Sequence, residues 1–205
     1  MKKYFAALSA TALLSAAPYA LAASTTDLTI TGSITPVACT PSLSAGGLID
    51  LGKISSRDLA TDANTLVDTS SLELTMACDA STKFALEAID NREGSGIGSG
   101  FGLGLTPDDE QLGFYSIKIN NPTADGSPVV AIGSADGGIT WAAQPDIQKG
   151  KLSSVGAVGT PTAQIPVEDV AMTLEVATYI ARTDGLTLTS EVTIDGSATI
   201  EVKYM

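Results

Sequence analysis

The chain has 205 residues, with 23 acidic and 11 basic side chains, no histidine, and a formal charge of −12 at neutral pH. An acidic balance of that size excludes recognition of phosphate backbones and of anionic lipid, both of which need basic patches. The missing histidine removes the commonest general base and the commonest zinc ligand, and no cofactor is expected.

The chain opens as a secretory signal. Lys2 and Lys3 precede a small, apolar run over residues 5–17, and Ala20-Leu21-Ala22 supplies a small-x-small cleavage site. That run is too short to span a bilayer, so direct membrane insertion is not expected. Cleavage after Ala22 leaves 205 − 22 = 183 residues and, without Lys2 and Lys3, a formal charge of −14. Cys39 and Cys78, an even number in an exported chain, predict a disulfide. It would close a loop of about 40 residues, a chain-entropy stabilisation of roughly 4 kcal/mol.

The mature chain begins with a Thr-rich extension over residues 23–31, where Leu28 and Ile30 alternate with Asp27, Thr29 and Thr31. Short β-like runs follow at residues 48–54, 72–77, 83–89, 112–119 and 128–132, separated by turn signals. Val170, Met172, Leu174, Val176, Thr178 and Ile180 form the longest alternation in the chain. Asp125-Gly126, Asp136-Gly137, Asp184-Gly185 and Asp195-Gly196 supply turns. No segment beyond the signal carries a helical period, so the domain over residues 32–205 reads as an all-β, immunoglobulin-like sandwich. Two stretches interrupt it. Residues 94–104 carry glycine at every second position, which predicts a mobile surface loop. Residues 144–166, rich in Gly, Ala, Ser, Thr and Pro, predict a long irregular connection.

The closing residues, 196–205, are the cleanest strand. Gly196, Ala198, Ile200, Val202 and Tyr204 fall on one face, and Ser197, Thr199, Glu201 and Lys203 on the other. An open edge here would recruit other chains.

Several motifs are weaker. Gly47-Leu-Ile-Asp-Leu-Gly52-Lys53 nearly spells a P-loop but has Ile54 where Ser or Thr must reach magnesium. Ser134-Ala-Asp136-Gly-Gly138-Ile-Thr140-Trp141 resembles the Asp-box of bacterial sialidases and other propellers. That motif is structural and repeated in those families, whereas it occurs once here in a chain too short for a six-bladed propeller. Ser134, Asp136, Gly138 and Trp141 are therefore read as a hairpin, with a loop binding surface as its functional alternative. The acidic pairs Asp108-Asp109-Glu110 and Glu168-Asp169 assemble neither a catalytic nor a calcium constellation. No enzyme is expected.

Two ends of the chain carry a family resemblance. Ala198-Thr199-Ile200-Glu201-Val202-Lys203-Tyr204-Met205, with its penultimate tyrosine, resembles the last strand of chaperone–usher pilins. Gly32-Ser33-Ile34-Thr35-Pro36-Val37-Ala38-Cys39, with Cys78 39 residues further on, resembles their opening. The middle is closer to a fimbrial-like branch of uncharacterised secreted proteins of Gram-negative bacteria. The resemblance implies a bridge between the first two strands and an incomplete sandwich that lacks its final strand. It further implies completion by a periplasmic chaperone and then by a sister fimbrial subunit, with an usher as assembly partner, in the periplasm and then at the cell surface. Leu28, Ile30 and Ile34 would be donor residues, and Ala198, Ile200, Val202 and Tyr204 would border the acceptor groove. The N-terminal extension is shorter and less regular than in polymerising pilins. The rival expectation is a monomeric periplasmic or secreted binding module with a complete sandwich.

Overall fold

The long alternation over residues 170–180 forms the spine of the molecule. Val170, Met172, Leu174, Val176, Thr178 and Ile180 are all buried, and the residues between them are half-buried. The computed structural model describes residues 26, 28–32 and 38–205. The signal segment, Asp27 and Ile34 lie outside the described residues. The chain divides into Met1–Thr35 and Pro36–Met205, and the second unit holds every strand described here.

In chain order the strands are β1 (Cys39–Leu43), β2 (Thr65–Thr82), β3 (Phe84–Asp90), β4 (Phe101–Gly102) and β5 (Gly113–Ala124). Then come β6 (Ser127–Pro128), β7 (Val130–Ser134), β8 (Ala142–Ala143), β9 (Asp146–Ile147) and β10 (Leu152–Ala157). Strands β11 (Thr160–Gln164), β12 (Val167–Ile180) and β13 (Ala198–Tyr204) complete the unit. One sheet runs β1-β2-β12-β5-β4, with β6 and β9 also on β5. The other runs β13-β3-β10-β7-β8, with β11 beside β10. Every pairing is antiparallel, so hairpins and crossovers suffice and no helix is needed.

The two sheets form a sandwich. Leu74, Met76, Ile117, Ile119, Met172 and Leu174 of the first sheet share a core with Phe84, Leu86, Ala88 and Val155 of the second. Strands β1, β2, β12 and β5 follow the A-B-E-D order of an immunoglobulin-like sandwich, and β3 and β13 stand as C and F. The strands from β6 to β11 are inserted between D and E, and β7, β8, β10 and β11 of them widen the second sheet on its C side. In that arrangement a seventh strand, G, would lie outside β13. Among the described residues none does.

Three segments differ from their sequence reading. Residues 48–54 are irregular, because Gly46, Gly47 and Gly52 take positive φ and the Asp50 carboxylate accepts the Gly52 amide. The stretch over 144–166 is not a loop but contains β9, β10 and β11. Its buried serines and glutamine hide the strand signal: Ser154 Oγ and Gln164 Nε2 both donate to the Phe84 carbonyl, at 2.6 and 2.5 Å, so polar residues sit dry and satisfied. The alternating glycines over 94–104 do not form a slack loop. A Cβ on Gly102 would stand 2.1 Å from Ser95 Oγ, and one on Gly100 would meet the Phe114 ring at 2.5 Å. Gly96, Gly100 and Gly102 are there for close approach, whereas Gly94, Gly98 and Gly104 take positive φ.

Candidate functional site

β13 owes its form to strict alternation. Ala198, Ile200 and Val202 turn towards the core, while Thr199, Glu201 and Lys203 face outward, where Lys203 pairs with Glu201 and Glu87 at 2.8 and 3.3 Å. Its register on β3 runs without a shift from Ala198 opposite Asp90 to Tyr204 opposite Phe84. The inward residues pack on the common core but remain half-buried, unlike the corresponding residues of β3. Among the described residues, no strand pairs with the outer side of β13.

β1 is the facing edge in the other sheet. The predicted disulfide joins Cys39 of β1 to Cys78 of β2, which are opposite each other in the ladder. The Cys39 amide donates to Tyr204 Oη at 2.7 Å, so the tyrosine ring crosses from one sheet edge to the other. Beneath, Leu74, Met76, Phe84, Leu86, Val170 and Met172 meet with Pro41 at an apolar seam without room for water. Pro41 also removes an amide from the β1 edge, which makes β1 a poorer template than β13.

The opposite side of the sandwich is managed differently. There the sheets end in β4 and β8, two residues each, and the short β6 and β9 flank β5. Very short edge strands are a standard way to prevent edge-to-edge pairing. β13, with seven residues and no proline, has no such protection.

Of the other sequence-marked residues, Leu28 and Ile30 belong to the N-terminal unit and lie in irregular chain, 86% and 88% exposed. Ser134, Asp136, Gly138 and Trp141 come together in the turn between β7 and β8. Asp136 Oδ1 accepts from the Ile139 and Thr140 amides and from Ser134 Oγ, while its Oδ2 accepts from Thr140 Oγ1. The Thr140 hydroxyl and amide, with Ser134, hold the Asp136 carboxyl well below the usual carboxylate range. Trp141 Nε1 donates to the Gly138 carbonyl, and its ring is buried with Ala85, Ile132 and Leu152 on the outer face of the second sheet. Every polar group of the motif is used within the turn.

A group of residues not singled out by sequence organises one end of the sandwich. The Asp90 side chain is fully buried and accepts from the Arg92 and Gly102 amides, both at 2.9 Å, and from Lys149 Nζ at 3.3 Å. Arg92 grips Asp195 through Nε and Nη2 at 2.9 and 2.6 Å. Glu110 fixes the Thr187 amide and hydroxyl, and these bonds with Thr106 lower its pKa. Of these residues, Arg92 and Asp195 line an open cleft of about 770 Å³, with Glu93, Leu105 and Thr193. Aspartate spacing alone gives no hint of this, because each partner lies on a different loop. Among the described residues, no group of three His, Cys, Asp or Glu side chains is placed to hold a metal ion, and no helix is long and apolar enough to cross a membrane.

The architecture defines a disulfide-bonded β-sandwich in which β13 has an unpaired outer edge among the described residues. A family described as "protein of unknown function (DUF1120)" matches residues 28–100. The chain is 29% identical to the uncharacterized protein YhcF of Escherichia coli (strain K12), covering 91% of this chain and 93% of that one. It is 30% identical to protein GltF of the same organism, covering 88% of each. The chain therefore belongs to the family of GltF.

Proposed function

We propose that this protein is an exported fimbrial-type structural subunit whose sandwich is completed by a strand from another polypeptide. The observation that carries the reading is the contrast of edges: β13 is long, unpaired among the described residues and backed by half-buried apolar side chains, whereas the far edges are two residues long. In strand addition, main-chain hydrogen bonds supply affinity and alternate side chains supply register. Ala198, Ile200 and Val202 would receive that strand. A periplasmic chaperone would supply it first and a sister subunit, delivered at an usher, afterwards. Residues 23–37, with Leu28, Ile30 and Ile34, would be this chain's own contribution to a neighbour. The disulfide and the N-terminal signal pattern support a route through the periplasm to the cell surface.

A monomeric binding module is the second reading, favoured by the open cleft around Arg92 and Asp195, whose loops are held in place by buried hydrogen bonds. Purifying the mature chain alone separates the two. A subunit is unstable or aggregates by itself and recovers when a chaperone or a peptide of residues 23–37 is added, and the pair Ile200→Asp and Tyr204→Ala abolishes that recovery. A stable monomer that unfolds cooperatively and ignores the peptide would eliminate the strand-addition reading.

A further inference from the structure

The hydrogen-bond phase of β13 can be fixed. In an antiparallel pair, opposed residues alternate between those that exchange both backbone bonds and those that exchange none. Ser197 stands opposite Asn91 by the register, and the Asn91 amide donates to the Ser197 carbonyl at 3.0 Å. Thr199, Glu201 and Lys203 therefore also bond inward to β3. The amides and carbonyls of Ala198, Ile200, Val202 and Tyr204 point to the open edge. Three of these residues, Ala198, Ile200 and Val202, also turn their side chains towards the core.

Both ends of that row are closed. At one end the chain before Ala198 leaves the edge: the Asp195 amide donates to the Leu103 carbonyl at 2.9 Å, and Gly196 sits against Leu103 and Tyr115. At the other end the Tyr204 ring spans the two sheets to reach the Cys39 amide, and Cys39 is itself held by the disulfide. A strand lying along β13 would set its side chains beside Ala198, Ile200 and Val202, and the Tyr204 ring stands across the end of that row.

We propose that Tyr204 is a register stop, which limits an incoming strand to a five-residue window opposite Ala198 to Val202, and that the strand it selects is residues 28–32 of a second copy. Leu28 and Ile30 are large apolar side chains two positions apart, 86% and 88% exposed, and therefore need cover that this window supplies. Gly32 takes the third inward position without steric demand. The proposal rests on reading β13 as the strand-accepting edge.

Amide hydrogen exchange on the labelled mature chain, with and without a peptide of residues 23–37, tests it. The peptide is expected to slow exchange about tenfold or more at Ala198, Ile200 and Val202 and to leave Tyr204 unchanged. In Tyr204→Phe, which keeps the ring but loses its anchor, protection should spread to residue 204. Equal protection of Tyr204 and Val202 in the wild-type chain would overturn the register stop alone, and this needs no variant to fold. A peptide carrying Leu28→Asp and Ile30→Asp that protects as well as the natural one would overturn the choice of occupant. Absence of protection anywhere on β13 would remove the strand-accepting reading beneath both.

Discussion

Asp136 illustrates how a single side chain can look functional in sequence and act locally in the fold. Its carboxylate gathers four hydrogen bonds from Ser134, Ile139 and Thr140, and Trp141, the sole tryptophan, closes the same turn from below. These bonds lower the folded pKa, so ionised Asp136 stabilises the folded turn above its ordinary pKa of about 4. That contribution falls away as pH drops below the ordinary value towards the folded one. Trp141 fluorescence should therefore report a loosening of the turn on acidification below about pH 4. Asp136→Asn should lose stability at neutral pH and flatten that acid response, since Asn cannot ionise and offers one acceptor instead of two. An unchanged acid profile in the variant would assign the response to other carboxylates.

At the scale of elements, packing decides what periodicity leaves open. β12 and β3 were legible because their alternation is apolar and each inward residue is buried, from Val170 to Ile180 and from Phe84 to Ala88. β13 was legible from its alternation alone, its inward residues being only half-buried, and the disulfide followed from two cysteines behind a secretory signal pattern. β10 was not, because Ser153 and Ser154 occupy its buried centre, and only the distant Phe84 carbonyl makes that tolerable. The meeting of the two sheet edges was not legible: the Tyr204 bond to Cys39 joins positions 165 residues apart. The glycine-rich loop misled for a related reason, since its tight contacts involve Ser95, Arg92 and Phe114 and appear only once the chain is folded. Gly102→Ala is therefore expected to destabilise by about 1–3 kcal/mol, as overpacking does, whereas Gly98→Ala, with open space around it, acts only through its positive φ. Urea unfolding compares the two, and an equal cost at both positions would refute the close-packing account. Replacing Cys39 and Cys78 by Ser should cost roughly 2–5 kcal/mol in the same assay, as in other small secreted domains.

For the molecule as a whole, the two sides of the sandwich answer the edge problem in opposite ways, and net charge modulates the outcome. A formal charge of −12 keeps copies apart, so strand addition between copies should strengthen with salt as that repulsion is screened. Proline substitution can show that the meeting point is the outer edge of β13. The Val202 amide points outward, so Val202→Pro leaves the β13–β3 ladder intact and also holds Glu201 in the extended conformation it already has. The Glu201 amide bonds to β3, so Glu201→Pro breaks the ladder, at a cost on the order of 1–3 kcal/mol for the partner group left unpaired. Sedimentation of the mature chain should thus show Val202→Pro folded but no longer associating, with Glu201→Pro destabilised. The expected contrast in association comes from hydrogen-bond phase, and it runs against packing, because Val202 turns towards the core whereas Glu201 faces outward beside Lys203. Association of Val202→Pro at the wild-type level would mean that copies meet somewhere other than β13, and the cleft bounded by Arg92 and Asp195 would become the surface to probe next.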